Sequence, residues 1–197
     1  MSSRILTLFV LLLSAMPVSA TLSVPSSSGG SKVRVFLSRE EALQLAFPKC
    51  EIKKSSFYLS KEQRARAKKL SHGKQERNVV HAYEARKNGK LVGTAYFDAH
   101  KVRTHKEVLM IIVGKERAIE RIELLSFAEP IDYIPRGNWY AQFIGKKLDE
   151  NLSLKRDIRG VTGATLTARA TTSAARRVLA LHTVVVDAKS KPKSKAD

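Results

Sequence analysis

The spacing of apolar residues predicts helices at both ends of the folded region. Two serines, Ser38 and Ser60, are each followed three residues later by Glu or Gln, which is typical of a helix start. The four predicted helices are Glu40–Phe47, a very basic segment from Lys61 to Leu70, a short helix over Asn138–Lys147 and a final helix over Ala168–Leu181.

The middle of the chain has the two-residue period of β-strands. Asn88-Gly89 separates two such runs and indicates a tight hairpin turn. The predicted strands are Val79–Arg86, Leu91–Asp98, the continuously apolar Val108–Val113 and Ile119–Phe127, with Val33–Leu37 as a candidate lead-in strand. Strands in succession, flanked by helices, predict an α+β single domain with a mostly antiparallel sheet of about four strands.

The ends of the chain have the composition of segments outside a folded domain. Arg4 precedes the apolar run Ile5–Leu13, and Val18-Ser19-Ala20 fits a cleavage site, so an export signal peptide is predicted. An uncleaved N-terminal membrane anchor is the alternative. The predicted organisation is 1–20 signal peptide, 21–32 flexible linker, 33–186 folded domain and 187–197 disordered basic tail. We therefore expect the protein in the periplasm or cell envelope.

The chain is strongly basic, with 36 Lys and Arg against 18 Asp and Glu and a formal net charge of +18. This balance favours anionic partners such as phosphate groups, an anionic membrane surface or an acidic protein. Nucleic acid is not expected, because the chain is predicted to be exported and has no motif that interleaves aromatic and basic residues. No metal site is predicted either, since His100 and His105 stand five apart among lysines and an arginine.

One hexapeptide, Thr162-Gly163-Ala164-Thr165-Leu166-Thr167, carries the clearest chemistry in the sequence. It places three hydroxyls, a glycine and an alanine directly before a predicted helix. The first turn of a helix has unpaired N–H groups and a partial positive charge, so a phosphate group can bind there. One of the hydroxyls can also carry a phosphate ester. A simple threonine-capped helix start is the alternative interpretation.

The hexapeptide resembles the motif of the FMN-binding domain family, with weaker matches at Glu129-Pro130 and Phe143-Ile144-Gly145-Lys146. The resemblance covers roughly residues 35–182. The family includes the C subunit of the sodium-translocating NADH:quinone reductase, the G subunit of the Rnf complex and small exported flavoproteins.

The resemblance implies a covalent flavin and a role in electron transfer. Thr167 would be esterified to the phosphate of FMN by a periplasmic flavin transferase of the ApbE type. The other five residues of the motif, Thr162, Gly163, Ala164, Thr165 and Leu166, would contact the phosphate and the flavin. Electrons would pass between membrane or periplasmic donor and acceptor proteins.

Several alternatives remain open at the level of sequence. The family usually has Asp three residues before the first threonine of the motif, where this chain has Arg159, which could instead pair with the phosphate of non-covalent FMN. Four aromatic residues could cover the flavin ring or pack in the core: Tyr133, Trp139, Tyr140 and Phe143. A non-redox exported module that binds anionic lipid, polymer or an acidic protein is a second hypothesis, and a small-molecule reductase is a third.

Overall fold

The strands of the computed structural model, which describes residues 33–74 and 76–190, are all joined in one antiparallel sheet. They are β1 (Arg34–Val35), β2 (Glu51–Tyr58), β3 (Val79–Lys87), β4 (Lys90–Lys101), β5 (Lys106–Gly114) and β6 (Ile119–Phe127). The α-helices are α1 (Arg39–Ala46), α2 (Lys61–Ser71) and α3 (Thr165–Ser190), with 3-10 helices at Ile131–Tyr133 and Trp139–Phe143. The sheet order is β1-β6-β5-β4-β3-β2, which confirms the α+β class.

The described residues form six strands, so the prediction of about four is too low. β1 falls within the candidate lead-in segment, whereas β2 was not predicted. β2 pairs with β3 along its whole length but leaves about every second side chain exposed. It lies at an edge of the sheet, where Ile52 and Phe57 pack against the two cores from opposite faces, and its lysines and serines hide the strand period.

The predicted hairpin and capping boxes are confirmed. Asn88 and Gly89 both have positive φ, of 52° and 75°, as a two-residue turn with the correct twist requires. The hydroxyls of Ser38 and Ser60 each accept a hydrogen bond from the backbone N–H three residues on, and the side-chain oxygens of Glu41 and Gln63 accept one from the N–H groups of these serines. Local sequence signals therefore determine where α1, α2 and this hairpin begin.

The sheet carries helices on both faces, and β5 lies between the two resulting cores. Its side chains alternate, so that Leu109, Ile111 and Val113 face the core under α2 and α3. Met110 and Ile112 face the smaller core under α1. Burial on both faces explains why this strand is apolar throughout and confirms its prediction as a buried strand.

Two predicted helices differ from the structure. The segment predicted as a helix over 138–147 forms only the 3-10 helix Trp139–Phe143, and the chain then turns at Gly145 with a φ of 79°. α3 begins three residues earlier than predicted and runs to Ser190. Residues 187–190 are therefore helical and do not belong to a disordered tail. Asp187 explains this, since it binds both Arg66 (2.6 Å) and Arg117 (2.9 Å).

The predicted signal peptide (1–20), linker (21–32) and last seven residues of the predicted tail (191–197) lie outside the described residues. Among the described residues, no helix combines the length and the apolar character needed to cross a membrane. Although α3 has 26 residues, charged side chains interrupt it at Arg169, Arg176, Arg177, Asp187 and Lys189.

Candidate functional site: the cleft at the start of helix α3

The hexapeptide is divided between a turn and the first turn of α3. Thr162, Gly163 and Ala164 precede the helix, and Thr165, Leu166 and Thr167 are its first three residues. Gly163 has a φ of 81°, a conformation that glycine adopts without strain and other L-residues do not. A Cβ atom there would meet no atom within 4 Å, so glycine is required by the backbone angle and not by crowding.

α3 differs from the other two helices in how it starts. Its first helical bond joins the Ala168 N–H to the Ala164 carbonyl at 2.9 Å, which places Ala164 at the N-cap. The equivalent residues of α1 and α2 are Ser38 and Ser60, whose hydroxyls cap their helices. Alanine has no side-chain oxygen, so the first N–H groups of α3 have no capping side chain at this position. They are available to an external anion.

Thr167 points into the protein. Its side chain is fully buried, and its Oγ1 donates a hydrogen bond of 2.6 Å to the carbonyl oxygen of Tyr133, the last residue of a 3-10 helix. Thr165, by contrast, is exposed, and its hydroxyl donates to the Val161 carbonyl at 3.2 Å. Of the motif's three threonines, the proposed acceptor is therefore the most enclosed.

A cleft of about 230 Å³ opens beside the motif. Its walls are Val102, Arg103, Tyr133 and residues 163–167. None of these residues is acidic, and the guanidinium of Arg103 makes no ion pair or hydrogen bond with the rest of the described chain. The helix N-terminus and Arg103 together make this cleft electropositive, which favours an anionic ligand.

The buried carboxylate of Glu129 holds the wall that carries Arg103. Its Oε1 accepts hydrogen bonds from three successive N–H groups, those of Arg103 (3.2 Å), Thr104 (2.6 Å) and His105 (2.8 Å). Burial raises the pKa of Glu129, but these bonds outweigh it and lower the pKa to about 2. The carboxylate therefore stays ionised at neutral pH and binds three N–H groups of the turn between β4 and β5.

The predicted aromatic residues have separate roles. Trp139 and Phe143 belong to the core under α3, and Tyr140 packs against that core. Tyr133 alone among the four lines the cleft.

Arg159 is not among the residues that line the phosphate-compatible cleft. Its backbone N–H donates to Gln142 Oε1 (2.9 Å), and its carbonyl accepts from the Trp139 indole (2.7 Å), while its side chain is exposed. Arg103 is instead the arginine in the cleft. In the sequence, Arg103 is one of several charges in a basic loop, and nothing local shows that its turn faces residues about 60 positions further along the chain.

His100 and His105 bind different carboxylates. His100 contacts Asp98 and Glu107, whereas His105 lies 3.4 Å from Glu129. No group of three or more His, Cys, Asp or Glu side chains within the described ranges is placed to hold a metal ion.

The outer face of α2 is basic, as its sequence indicates. Its inner side contacts α3, where the Arg176 guanidinium binds the carbonyl of Ser71 at 3.1 Å. Four exposed lysines on or after α2 form no ion pair with the described residues: Lys61, Lys68, Lys69 and Lys74. We call these four residues the lysine face.

No protein-family model and no curated protein matches the chain. The fold and the site define an α+β domain with a phosphate-compatible cleft at the start of its longest described helix. The flavin hypothesis therefore depends on the hexapeptide and on this cleft.

Proposed function

We propose that this protein is an exported flavoprotein that carries FMN at the N-terminus of α3 and serves in electron transfer. Thr167 is the proposed covalent acceptor of the FMN phosphate. The observation that supports this best is the uncapped start of α3, which the hexapeptide forms and which opens into an electropositive cleft. Membrane or periplasmic proteins would donate and accept the electrons, and a flavin transferase of the ApbE type would attach the cofactor.

The cleft suits the phosphate end of FMN. The free N–H groups of the first turn of α3 and the Arg103 guanidinium would bind phosphate oxygens. The cleft has a volume of about 230 Å³. Sites that enclose a whole drug-sized ligand are larger, at about 300–1,000 Å³. Leu166, which is 45% exposed, and Tyr133 offer apolar surface for the flavin ring. When bound, FMN supplies the redox chemistry, while the protein positions it and tunes it.

Attachment would replace one hydrogen bond of the structure by a covalent bond. The Oγ1–P bond forms, the bond from phosphorus to the leaving group of the flavin donor breaks, and the hydroxyl proton goes to a base of the transferase. Thr167 must first release the Tyr133 carbonyl, to which it donates its only hydroxyl proton. We therefore expect attachment to require a local opening between α3 and the 3-10 helix Ile131–Tyr133.

Co-expression with a flavin transferase and mass spectrometry of tryptic peptides test this proposal. We expect the Thr167 peptide to gain the mass of FMN less one water and the purified protein to show flavin absorption. Thr167→Ala should lose the modification, whereas Thr165→Ala, which removes the neighbouring exposed hydroxyl, should keep it. If Thr167→Ala still carries flavin after purification and loses it on dialysis, the flavin is bound non-covalently. Absence of flavin from the wild-type protein would refute the proposal.

A non-redox binding module remains the second candidate because of the lysine face. Its four ammonium groups lack acidic partners among the described residues, and such clusters bind anionic lipid headgroups with about 1 kcal/mol per charge. A colourless protein that sediments with anionic vesicles at low salt and is released at high salt would favour this function. A flavin-containing protein without vesicle binding would exclude it.

A further inference from the structure

A buried cluster of charged side chains joins β4, β5 and α3 below the cleft. Asp98 and Glu107 are both completely buried, and the imidazole of His100 lies between them. The His100 Nδ1 atom is 2.9 Å from Asp98 Oδ1, and its Nε2 atom is 2.9 Å from Glu107 Oε2. The proposed flavin chemistry uses none of these groups.

The two short contacts determine the protonation state of the ring. An ionised carboxylate only accepts hydrogen bonds, and a neutral imidazole has only one N–H to donate. With both carboxylates ionised, both contacts are satisfied together only when His100 is an imidazolium. Burial lowers the pKa of His100, but the hydrogen bonds and charges of Asp98 and Glu107 outweigh it and raise that pKa above its ordinary value.

The two carboxylates differ in their other charged and polar partners. Asp98 binds the Arg177 guanidinium through two hydrogen bonds of 3.0 and 2.8 Å and lies 3.2 Å from Arg77. Glu107 has a long hydrogen bond of 3.4 Å from the Tyr140 hydroxyl, and among the described residues His100 is the only cation in ion-pair contact with it. If His100 loses a proton, Asp98 stays paired, whereas Glu107 becomes a buried carboxylate without a counter-charge.

The weaker end of the cluster lies next to the cleft wall. His100 and Glu107 are opposite each other in the β4–β5 ladder, one residue pair before the strands end at Lys101 and Lys106. The turn that follows contributes Val102 and Arg103 to the cleft. Strain at Glu107 is therefore placed directly at the base of this wall.

We propose that His100 is a proton-dependent latch on the cleft: its imidazolium holds Glu107 and the β4–β5 turn in place, and deprotonation loosens both. Stabilisation by a histidine whose folded pKa is raised is complete at low pH and is lost as pH rises through the folded value. Ligand binding in the cleft should weaken over the same range. The statement about binding rests on the proposed function, whereas the latch itself does not.

The protonation state of His100 can be measured by NMR in the ligand-free protein. The carbon and proton shifts of its ring are followed from about pH 5 to about pH 10 and compared with the ordinary histidine pKa of about 6.5. We expect His100 to stay protonated well above that value. Titration of His100 at the ordinary value, or below it, would overturn the proposal.

The Glu107→Gln variant tests whether the proton controls the wall. The amide keeps the shape of Glu107 but can pair with either form of the imidazole, so it removes the need for an imidazolium. In the wild-type protein, we expect amide-exchange protection at Thr104 and His105 to fall about tenfold or more at alkaline pH, as for one lost charge-assisted hydrogen bond. The variant should show no such fall.

Glu116→Gln, at a highly exposed carboxylate, is the matched control and should behave as wild type. The same pH dependence of protection in wild type and Glu107→Gln would refute the latch. If Glu107→Gln does not fold, the ring titration and the pH dependence of amide protection in the wild-type protein decide the proposal together.

FMN titration of the unmodified protein provides the functional readout. We expect the wild-type Kd to rise about tenfold between about pH 7 and about pH 10, and the Kd of Glu107→Gln to stay nearly constant. An equal rise in both would overturn the coupling to the cleft. No FMN binding at any pH would instead refute the proposed function, while the ring and amide measurements would still decide the latch.

Discussion

Thr167 donates a hydrogen bond of 2.6 Å to the main-chain carbonyl of Tyr133, so the proposed flavin acceptor also fastens α3 to the 3-10 helix beside it. The threonine side chain is fully buried, which shields this bond from water. Esterification removes the hydroxyl proton and with it the bond. The flavinylated protein should therefore differ from the unmodified one around Tyr133.

Replacing Thr167 by valine tests the structural half of this relationship. Valine keeps the shape of the side chain but leaves the Tyr133 carbonyl without its donor, which should lower the free energy of unfolding by about 1–3 kcal/mol. Urea unfolding followed by circular dichroism measures the change. Thr162→Val is the control, because Thr162 is exposed, and it should change stability by less than about 0.5 kcal/mol. Equal effects of the two substitutions would contradict the prediction.

Gly163→Ala should strain the turn of the hexapeptide. The φ of 81° at Gly163 is left-handed, and an alanine there should cost about 1–2 kcal/mol although its Cβ has free space. Gly160→Ala is matched, since Gly160 also has free space around a Cβ but no positive φ, and it should be neutral or slightly stabilising. Thermal unfolding of both variants distinguishes the backbone angle from crowding. A neutral Gly163→Ala would show that the turn adopts another conformation.

Arg103→Gln should reduce affinity for FMN but not for riboflavin, which has no phosphate. Loss of a charge-assisted contact at a partly exposed site is expected to raise the Kd for FMN about tenfold at low salt, and less as salt screens the charge. Arg136→Gln removes an exposed arginine outside the cleft wall and serves as the control. Fluorescence titration of both flavins measures the effect. A parallel loss of riboflavin binding would indicate a disturbed cleft and not a phosphate contact.

Glu129 should stabilise the protein in a defined pH range. Its pKa is lowered from an ordinary value of about 4.3 to about 2, so its contribution is complete above the ordinary value and is lost as pH falls towards 2. Glu129→Gln should remove on the order of 1–3 kcal/mol at neutral pH, because a neutral oxygen accepts the three N–H groups more weakly. The difference from wild type should shrink below about pH 4. A difference that does not change with pH would argue against an ionised Glu129.

Local patterns predicted the parts of the fold that local physics determines. The capping boxes at Ser38 and Ser60, the Asn88-Gly89 turn and the apolar run of β5 each act within a few residues, and all four are present in the structure. β2 was not predicted because an edge strand tolerates lysine and serine, which hide its two-residue period. α3 begins three residues before its predicted start, because its N-cap residue is an alanine and the sequence rules for helix starts look for a capping side chain.

The parts of the site that are distant in sequence could not be found in the same way. Asp98 and Arg177 are 79 residues apart, and Glu129 holds a turn about 25 residues before it. In the sequence, each of these residues looks like an ordinary surface charge, because only the folded structure places it next to its partner. The hexapeptide was recognisable because all of its parts are consecutive, although its division between turn and helix was not.

Helix α3 also separates the two ends of the domain. It begins at the cleft with Thr165 and ends at Ser190, so at about 1.5 Å per residue its axis is about 39 Å long. Its last turns are anchored away from the cleft by the ion pair between Glu84 and Lys189 and by the contacts of Asp187. A surface or reporter attached at Ser190 would thus lie at the opposite end of α3 from the cleft, which makes that end the natural point for immobilising the protein in binding measurements.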